Sequence, residues 1–297
     1  MYRVGVIGLG KMGLPIARNL IERGFEVIGY RRHSSPELVV AGGVLGSSPA
    51  DVAAQADILL SILPDGLAVD EVVGDSSRGT LSTLRPGTVH VEMSTIDVER
   101  KRVIRDRVRV HGGDLIDCPI SGSPGMVAPR LATTFVSGEQ ASIDRVSSVL
   151  DAISGRWVYA GAFGAGTHLK YITNLLVAVH TVATAEAMVL ARRSGLDLDL
   201  VQRAVDDSIG ASAIWKQRGP MMQQRTWPVP APGPIDTLYA ILQQIETHAD
   251  GVDMDTPMFS SAKTVFDKAV ADGWGQRDIA AVHDQFDPDI GIEPREG

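Results

Sequence analysis

The chain has 297 residues, with 28 Lys and Arg against 36 Asp and Glu, a formal net charge of −8, 44% hydrophobic and 22% charged residues. At roughly 150 residues per domain this suits a soluble globular protein of about two domains. The acidic balance argues against nucleic-acid or anionic-membrane partners, which call for positive surface. Cys118 is the one cysteine, which excludes an intrachain disulfide framework. The first residues run straight into a strand-like stretch and lack the long apolar segment of a signal peptide, so a cytoplasmic location is expected. The most membrane-like stretch, 169–191, is interrupted by Lys170, Asn174, His180 and Glu186 and reads as a helix buried in protein.

In chain order, apolar runs at 3–8, 25–30, 57–63, 88–92 and 114–117 predict strands. Helical spacing fills the intervals, notably over 12–23, where Met12, Ile16, Leu20 and Ile21 share a face. This alternation implies βαβ units and a mainly parallel, doubly wound sheet. Residues 131–137 and 156–160 extend the sheet, with a helix over 142–153 between them. After the stretch Gly161-Ala-Phe-Gly-Ala-Gly166 the character changes to long helical patterns: 167–193, 198–208, 212–224, 236–250, 256–271 and 276–286. The expected organisation is an α/β domain over 1–162, an all-α domain over 163–287 and a loose tail over 288–297. Prolines 228, 230, 232 and 234 predict a helix-free loop.

Gly8-Leu9-Gly10-Lys11-Met12-Gly13 is a GxGxxG directly after an apolar strand and at the opening of a helix. That is the context of a dinucleotide-binding Rossmann domain. Gly8 permits the tight turn, Gly10 lets backbone approach a pyrophosphate, and Gly13 allows close helix–strand packing. The phosphates then sit on the N–H groups at the helix start. A glycine-rich turn without a ligand is the plain alternative; the βαβ placement favours the nucleotide. The second strand ends Tyr30-Arg31-Arg32-His33, with no carboxylate to take a ribose 2′-hydroxyl. Guanidinium groups suit a 2′-phosphate through charge-assisted bidentate bonds, so Arg31 and Arg32 point to NADP(H) over NAD(H).

Only six of the 28 basic residues are lysines, at 11, 101, 170, 216, 263 and 268. Lys170 lies near the start of the long apolar helix, with Asn174 at i+4 on the same face. An ammonium flanked by apolar turns is partly desolvated, which lowers its pKa and suits it to proton transfer. A lysine that snorkels to the surface is the other reading.

Five stretches in order carry a resemblance over residues 5–174. They are Gly8-Leu-Gly-Lys-Met-Gly-Leu-Pro-Ile-Ala-Arg-Asn-Leu20, Leu63-Pro64-Asp65, Met93-Ser94-Thr95, Asp117-Cys-Pro-Ile-Ser121-Gly122-Ser123-Pro124, and Gly164-Ala-Gly-Thr-His-Leu-Lys170-Tyr-Ile-Thr-Asn174. With them the chain resembles the β-hydroxyacid dehydrogenases, a family that includes 3-hydroxyisobutyrate dehydrogenase and tartronate semialdehyde reductase, and the cofactor domain of 6-phosphogluconate dehydrogenase. The resemblance implies that the glycine loop, Leu63, Pro64, Ser94 and Thr95 hold the cofactor. It assigns Ser121, Gly122 and Ser123 to the substrate carboxylate and Lys170, assisted by Asn174, to proton transfer. It further implies a small 3-hydroxy acid or semialdehyde as substrate, and a homodimer or homotetramer.

Departures from the family pattern bear on the substrate. Ala240-Ile241 stands where many members carry Lys-Asp, which suggests a less anionic or bulkier substrate, and Thr173 stands where Asn is frequent. Reduction of an imine or another carbonyl in the same cleft, and a non-catalytic NADP-binding scaffold, are the competing functions. Retained Lys170 counts against the imine reading, and intact Ser121, Lys170 and Asn174 against the scaffold. The basic run 99–109 reads as the solvated face of a helix with Val103 and Ile104 turned inward, not as a nucleic-acid patch. Cys118 reads as packing. Trp215 and Trp227 read as core, with a pocket lining as the alternative. The seven histidines show no HxxxH or HxH spacing, so no metal is expected.

Overall fold

The structure, a computed structural model, describes residues 2–33, 35–75 and 77–287. The expected tail over 288–297 lies outside the described residues. The chain divides into two compact units, Met1–Lys170 and Tyr171–Gly297. The sequence places its boundary at 162, whereas this division falls at 170/171, within a helix whose first turn is hydrogen-bonded to the sheet of the first unit.

In the first unit the parallel strands β1 (Arg3–Ile7), β2 (Glu26–Tyr30), β3 (Val44–Leu45), β4 (Ile58–Ser61), β5 (Val89–Glu92) and β6 (Asp114–Asp117) lie in the order β3-β2-β1-β4-β5-β6. Crossover helices α1 (Gly13–Glu22), α2 (Pro36–Val40), α3 (Pro49–Gln55), α4 (Gly66–Gly74) and α5 (Val98–Val110) connect them. This is the doubly wound Rossmann order, whose ligand edge is the carboxyl ends of the strands. The sheet then continues with β7 (Ile120–Ser121), β8 (Thr133–Ser137) and β9 (Arg156–Gly161), with α6 (Pro124–Val127) and α7 (Gln140–Ile153) between them. Strand β8 runs antiparallel to β6 and β7 and parallel to β9.

Two apolar layers cover the sheet. One gathers Val4, Val6, Ile16, Leu20, Leu60 and Val91 with Val146 and Leu150 of α7. The other gathers Ile7, Leu59 and Leu115 with Ile104 and Val108 of α5. The basic run corrects one sequence expectation. Val103 is 61% exposed, because the inward stripe of α5 is Val98, Lys101, Ile104, Arg105 and Val108, at the i, i+3, i+4, i+7 spacing of a helix. Arg105 and Arg109 pair with Asp114 and Glu139, so much of this run's charge is matched within the chain. Cys118 is fully buried, and burial pushes its thiol pKa up, as its reading as packing requires.

The second unit is helical. It holds the bulk of α8 (Ala165–Arg193), then α9 (Leu198–Asp206), α10 (Ala213–Gln224), α11 (Ile235–Gly251) and α12 (Pro257–Ala271), and ends in a tight 3-10 helix over Ile279–Gln285. Its core joins Tyr171, Ala178 and Met188 of α8 to Trp215, Leu242, Phe259 and Phe266. Trp215 is thus a core residue, and Trp227 packs against the same cluster. By length and composition α8 could cross a membrane, but half of its most apolar window is buried inside the protein.

Candidate functional site

The glycine loop forms as the sequence requires. Gly8 has a φ of +101°, and its N–H donates to the Tyr30 carbonyl 3.0 Å away. A Cβ at Gly13 would sit 1.9 Å from the Gly8 carbonyl oxygen, so only glycine lets the helix start this close to the turn. A Cβ at Gly10 would meet nothing within 4 Å; this side of the loop has room for a ligand. Helix α1 has no acidic residue in its first turn and no side-chain cap, which suits its N-terminus to an anion. Gly10 and Lys11 are exposed, whereas the Leu9 side chain is buried in the core and Met12 packs against it. For Leu9, then, only the backbone is left to face a nucleotide. These features fit a dinucleotide phosphate.

Other candidate residues converge on the same sheet edge. Arg31 and Arg32 follow β2 directly and are exposed, beside the loop that Gly8 anchors to Tyr30. Leu63 and Pro64 follow β4, and the Leu63 N–H donates to the Ser94 hydroxyl after β5 at 2.8 Å. The Met93 N–H donates to the Ser61 carbonyl at 2.8 Å. Beneath these loops lies a polar cluster that the sequence reading missed. Glu92, fully buried, accepts from the Ser94 N–H at 2.7 Å and from the Ser61 hydroxyl, which lies 2.6 Å from His90 Nε2. Burial depresses the His90 pKa. The carboxylate therefore links the end of β4 to the start of the loop after β5.

Ser121, Gly122 and Ser123 form the turn from β7 into α6, with Gly122 at φ +151° and a Cβ there 3.0 Å from the Ala132 Cβ. Ser121 pairs with Thr133, four residues back along β8 from Ser137, a run of about 13 Å at strand rise. Lys170 lies in the second turn of α8, buried, and desolvation lowers its pKa to about 8. Asn174, one turn on, is also buried, and its Nδ2 has no hydrogen-bond partner. Such a buried orphan donor is a place for a ligand oxygen.

The lysine that sequence reading passed over is Lys101. It is fully buried and paired with Asp117 at 2.7 Å. Its signal was present: Lys101 falls on the inward stripe of α5 with Ile104 and Val108. Among the described residues no group of three or more His, Cys, Asp or Glu side chains is placed to hold a metal ion.

Two family models match in succession. Residues 3–161 match the NAD binding domain of 6-phosphogluconate dehydrogenase, and residues 164–285 match the NAD-binding domain of NADP-dependent 3-hydroxyisobutyrate dehydrogenase. The chain belongs to the β-hydroxyacid dehydrogenase family. Among relatives of this family, mitochondrial 3-hydroxyisobutyrate dehydrogenase of Rattus norvegicus is 35% identical over 209 residues, 70% of this chain and 62% of the rat protein; the match thus spans less than two thirds of that relative. Glyoxylate/succinic semialdehyde reductase 1 of Arabidopsis thaliana is 30% identical over 281 residues, 94% of this chain and 96% of the plant protein. A crystal structure of 3-hydroxyisobutyrate dehydrogenase from Salmonella typhimurium superposes with a TM-score of 0.86 at 27% identity, covering 96% of this chain and all of that one. The fold of this β-hydroxyacid dehydrogenase family member is therefore that of 3-hydroxyisobutyrate dehydrogenase.

Proposed function

We propose that the protein is an NADP-dependent oxidoreductase that interconverts a small 3-hydroxy acid and its semialdehyde, with Lys170 as the group that moves the proton. The observation that carries this reading is the pair on α8. A buried lysine with a pKa lowered to about 8 lies one turn from a buried amide whose Nδ2 has no hydrogen-bond partner. A pKa near the working pH lets one group serve as acid and as base.

A bound nicotinamide supplies or accepts the hydride. The backbone of Gly8–Gly13 and the loops of Leu63, Pro64, Ser94 and Thr95 hold the dinucleotide, with Arg31 and Arg32 on the 2′-phosphate. Ser121 and the N–H groups around Gly122 and Ser123 hold the substrate carboxylate, as donors in a backbone nest do. In reduction the Lys170 ammonium donates a proton to the carbonyl oxygen as negative charge develops there. In oxidation the neutral amine takes the hydroxyl proton, and Asn174 donates through Nδ2 to a substrate oxygen. The partly buried Ile241 packs against the core of the helical unit, and Ala240 beside it is uncharged. The absence of the family's Lys-Asp charges at these two positions supports a less anionic or bulkier substrate. The reading extends to a cytoplasmic homodimer or homotetramer.

The test is oxidation of NADPH, with NADH in parallel, across glyoxylate, succinic semialdehyde, methylmalonate semialdehyde and cyclic imines. Turnover of methylmalonate semialdehyde, the one compound of the panel that is reduced to a 3-hydroxy acid, with NADPH preferred is expected. Turnover of the imines alone, or tight NADPH binding with no turnover of any compound, would overturn the assignment.

A further inference from the structure

The motif Asp117–Pro124 enters the reading above through its serines, which leaves its first residue without a part. Asp117 is fully buried, and both of its carboxylate oxygens are engaged. Oδ1 accepts from Lys101 Nζ at 2.7 Å and from the Thr167 hydroxyl at 2.7 Å. Oδ2 accepts from the Thr167 N–H at 2.8 Å and from the Ser137 hydroxyl at 3.0 Å. The Ser137 oxygen in turn accepts from the N–H groups of Gly164 and Gly166, at 3.2 and 3.0 Å. Three N–H groups in and just before the first turn of α8 thus end on one carboxylate and the hydroxyl bonded to it. A helix start leaves such groups without intrahelical partners, and a carboxylate there complements the positive end of the helix. Gly166 admits no larger residue, since a Cβ would lie 2.5 Å from the Phe135 carbonyl oxygen. The turn is clamped from both sides.

We propose that Asp117, neutralised by the buried Lys101, is the positioning residue for Lys170. It fixes the first turn of α8 to the ends of β6 and β8 and so sets where the lysine head lies. The inference rests on the reading of Lys170 as the proton carrier. Lys170 is three residues beyond Thr167 on the same helix, a near neighbour on its surface. A rigid helix passes any shift of its first turn directly to that side chain. Lys101 is the counter-ion that offsets the cost of burying this carboxylate. Its Nζ also lies 3.2 Å from the Thr167 hydroxyl oxygen, which closes the ring of contacts.

The test compares Thr167→Val, which removes the hydroxyl donor to Asp117 with little change of shape, with Thr167→Ser, which keeps it. Asp117→Asn leaves Lys101 without its counter-charge and is liable to fail to fold, so Thr167 carries the test. The readouts are hydrogen exchange of the 163–170 segment, thermal midpoint, NADPH affinity, and kcat and KM with methylmalonate semialdehyde. For Thr167→Val we expect exchange of the segment at least tenfold faster. We also expect kcat about tenfold lower, as misplacement of a reacting group by a fraction of an ångström allows, with KM and NADPH affinity within twofold of wild type. Thr167→Ser restores both exchange and kcat. Unchanged exchange in Thr167→Val overturns the proposal, and so does faster exchange with kcat held within twofold. If wild type turns over no substrate, the function proposed above fails on its own account. The exchange comparison then still decides whether Asp117 clamps the turn.

Discussion

Gly10 and Gly13 separate packing from binding within one loop. A methyl group at Gly13 would lie 1.9 Å from the Gly8 carbonyl oxygen, so helix and turn must part by more than 1 Å to reach the 3.0 Å below which real contacts essentially do not occur. Overpacking of that kind costs about 1–3 kcal/mol. If about 2 kcal/mol of it falls on a displaced phosphate loop, NADPH binds roughly 30-fold more weakly. At Gly10 the same methyl meets nothing within 4 Å, so Gly10→Ala leaves the fold as it was. It takes up the space in front of the helix N-terminus, however, and NADPH affinity falls by about tenfold, or ~1.4 kcal/mol. Fluorescence titration with NADPH and thermal unfolding of both variants measure the two effects separately. Gly13→Ala is expected to lose stability and affinity, Gly10→Ala affinity alone. A Gly10→Ala protein that binds NADPH as wild type does would show that the loop packs a helix and cradles nothing.

The remaining predictions concern the edges of the same site. Arg31→Ala and Arg32→Ala each remove a charge-assisted partner worth about 1.5–3 kcal/mol. NADPH affinity should therefore drop about 10- to 100-fold while NADH affinity moves less than twofold; equal losses for both nucleotides would remove the 2′-phosphate assignment. Ser94→Ala leaves the Leu63 N–H without the acceptor it has at 2.8 Å, a loss of about 1 kcal/mol. The expected result by calorimetry is NADPH binding about fivefold weaker. No change would mean that the bond between Leu63 and Ser94 plays no part in holding the nucleotide.

Much of this architecture is legible in the sequence because it is local. Each long strand of the parallel sheet is a short apolar run, and the glycine loop declares itself by its place between a strand and a helix. Strands β3 and β7, two residues each, leave no periodicity to read. The end of the second unit reads as an ordinary helix over 276–286 but closes as a tight 3-10 turn over Ile279–Gln285. Val103 misled because it is apolar, although its position on α5 is a full step from the stripe that Ile104 marks. Partners distant in sequence are the other gap. Ser61 and Glu92 are 31 residues apart, Asp117 and Thr167 50, and no local pattern links them. Lys170 was found because an apolar helix isolates it. Lys101 was hidden by the arginines around it, although it is the more deeply buried of the two.

The proposed activity depends on proton transfer by Lys170. Its pKa is lowered to about 8 by burial, so the ammonium predominates below that pH and the amine above it. The decisive measurement is the pH profile of kcat in both directions for wild type and Lys170→Ala, with NADPH affinity measured alongside. Reduction of the semialdehyde should fall as pH rises through about 8 and oxidation of the hydroxy acid should rise over the same range. Loss of a positioned general acid–base group costs about 10²–10⁴-fold, so Lys170→Ala should lose that much kcat while binding NADPH within twofold of wild type. Wild-type turnover in Lys170→Ala, or a profile flat through pH 8 in both directions, would exclude Lys170 as the proton carrier.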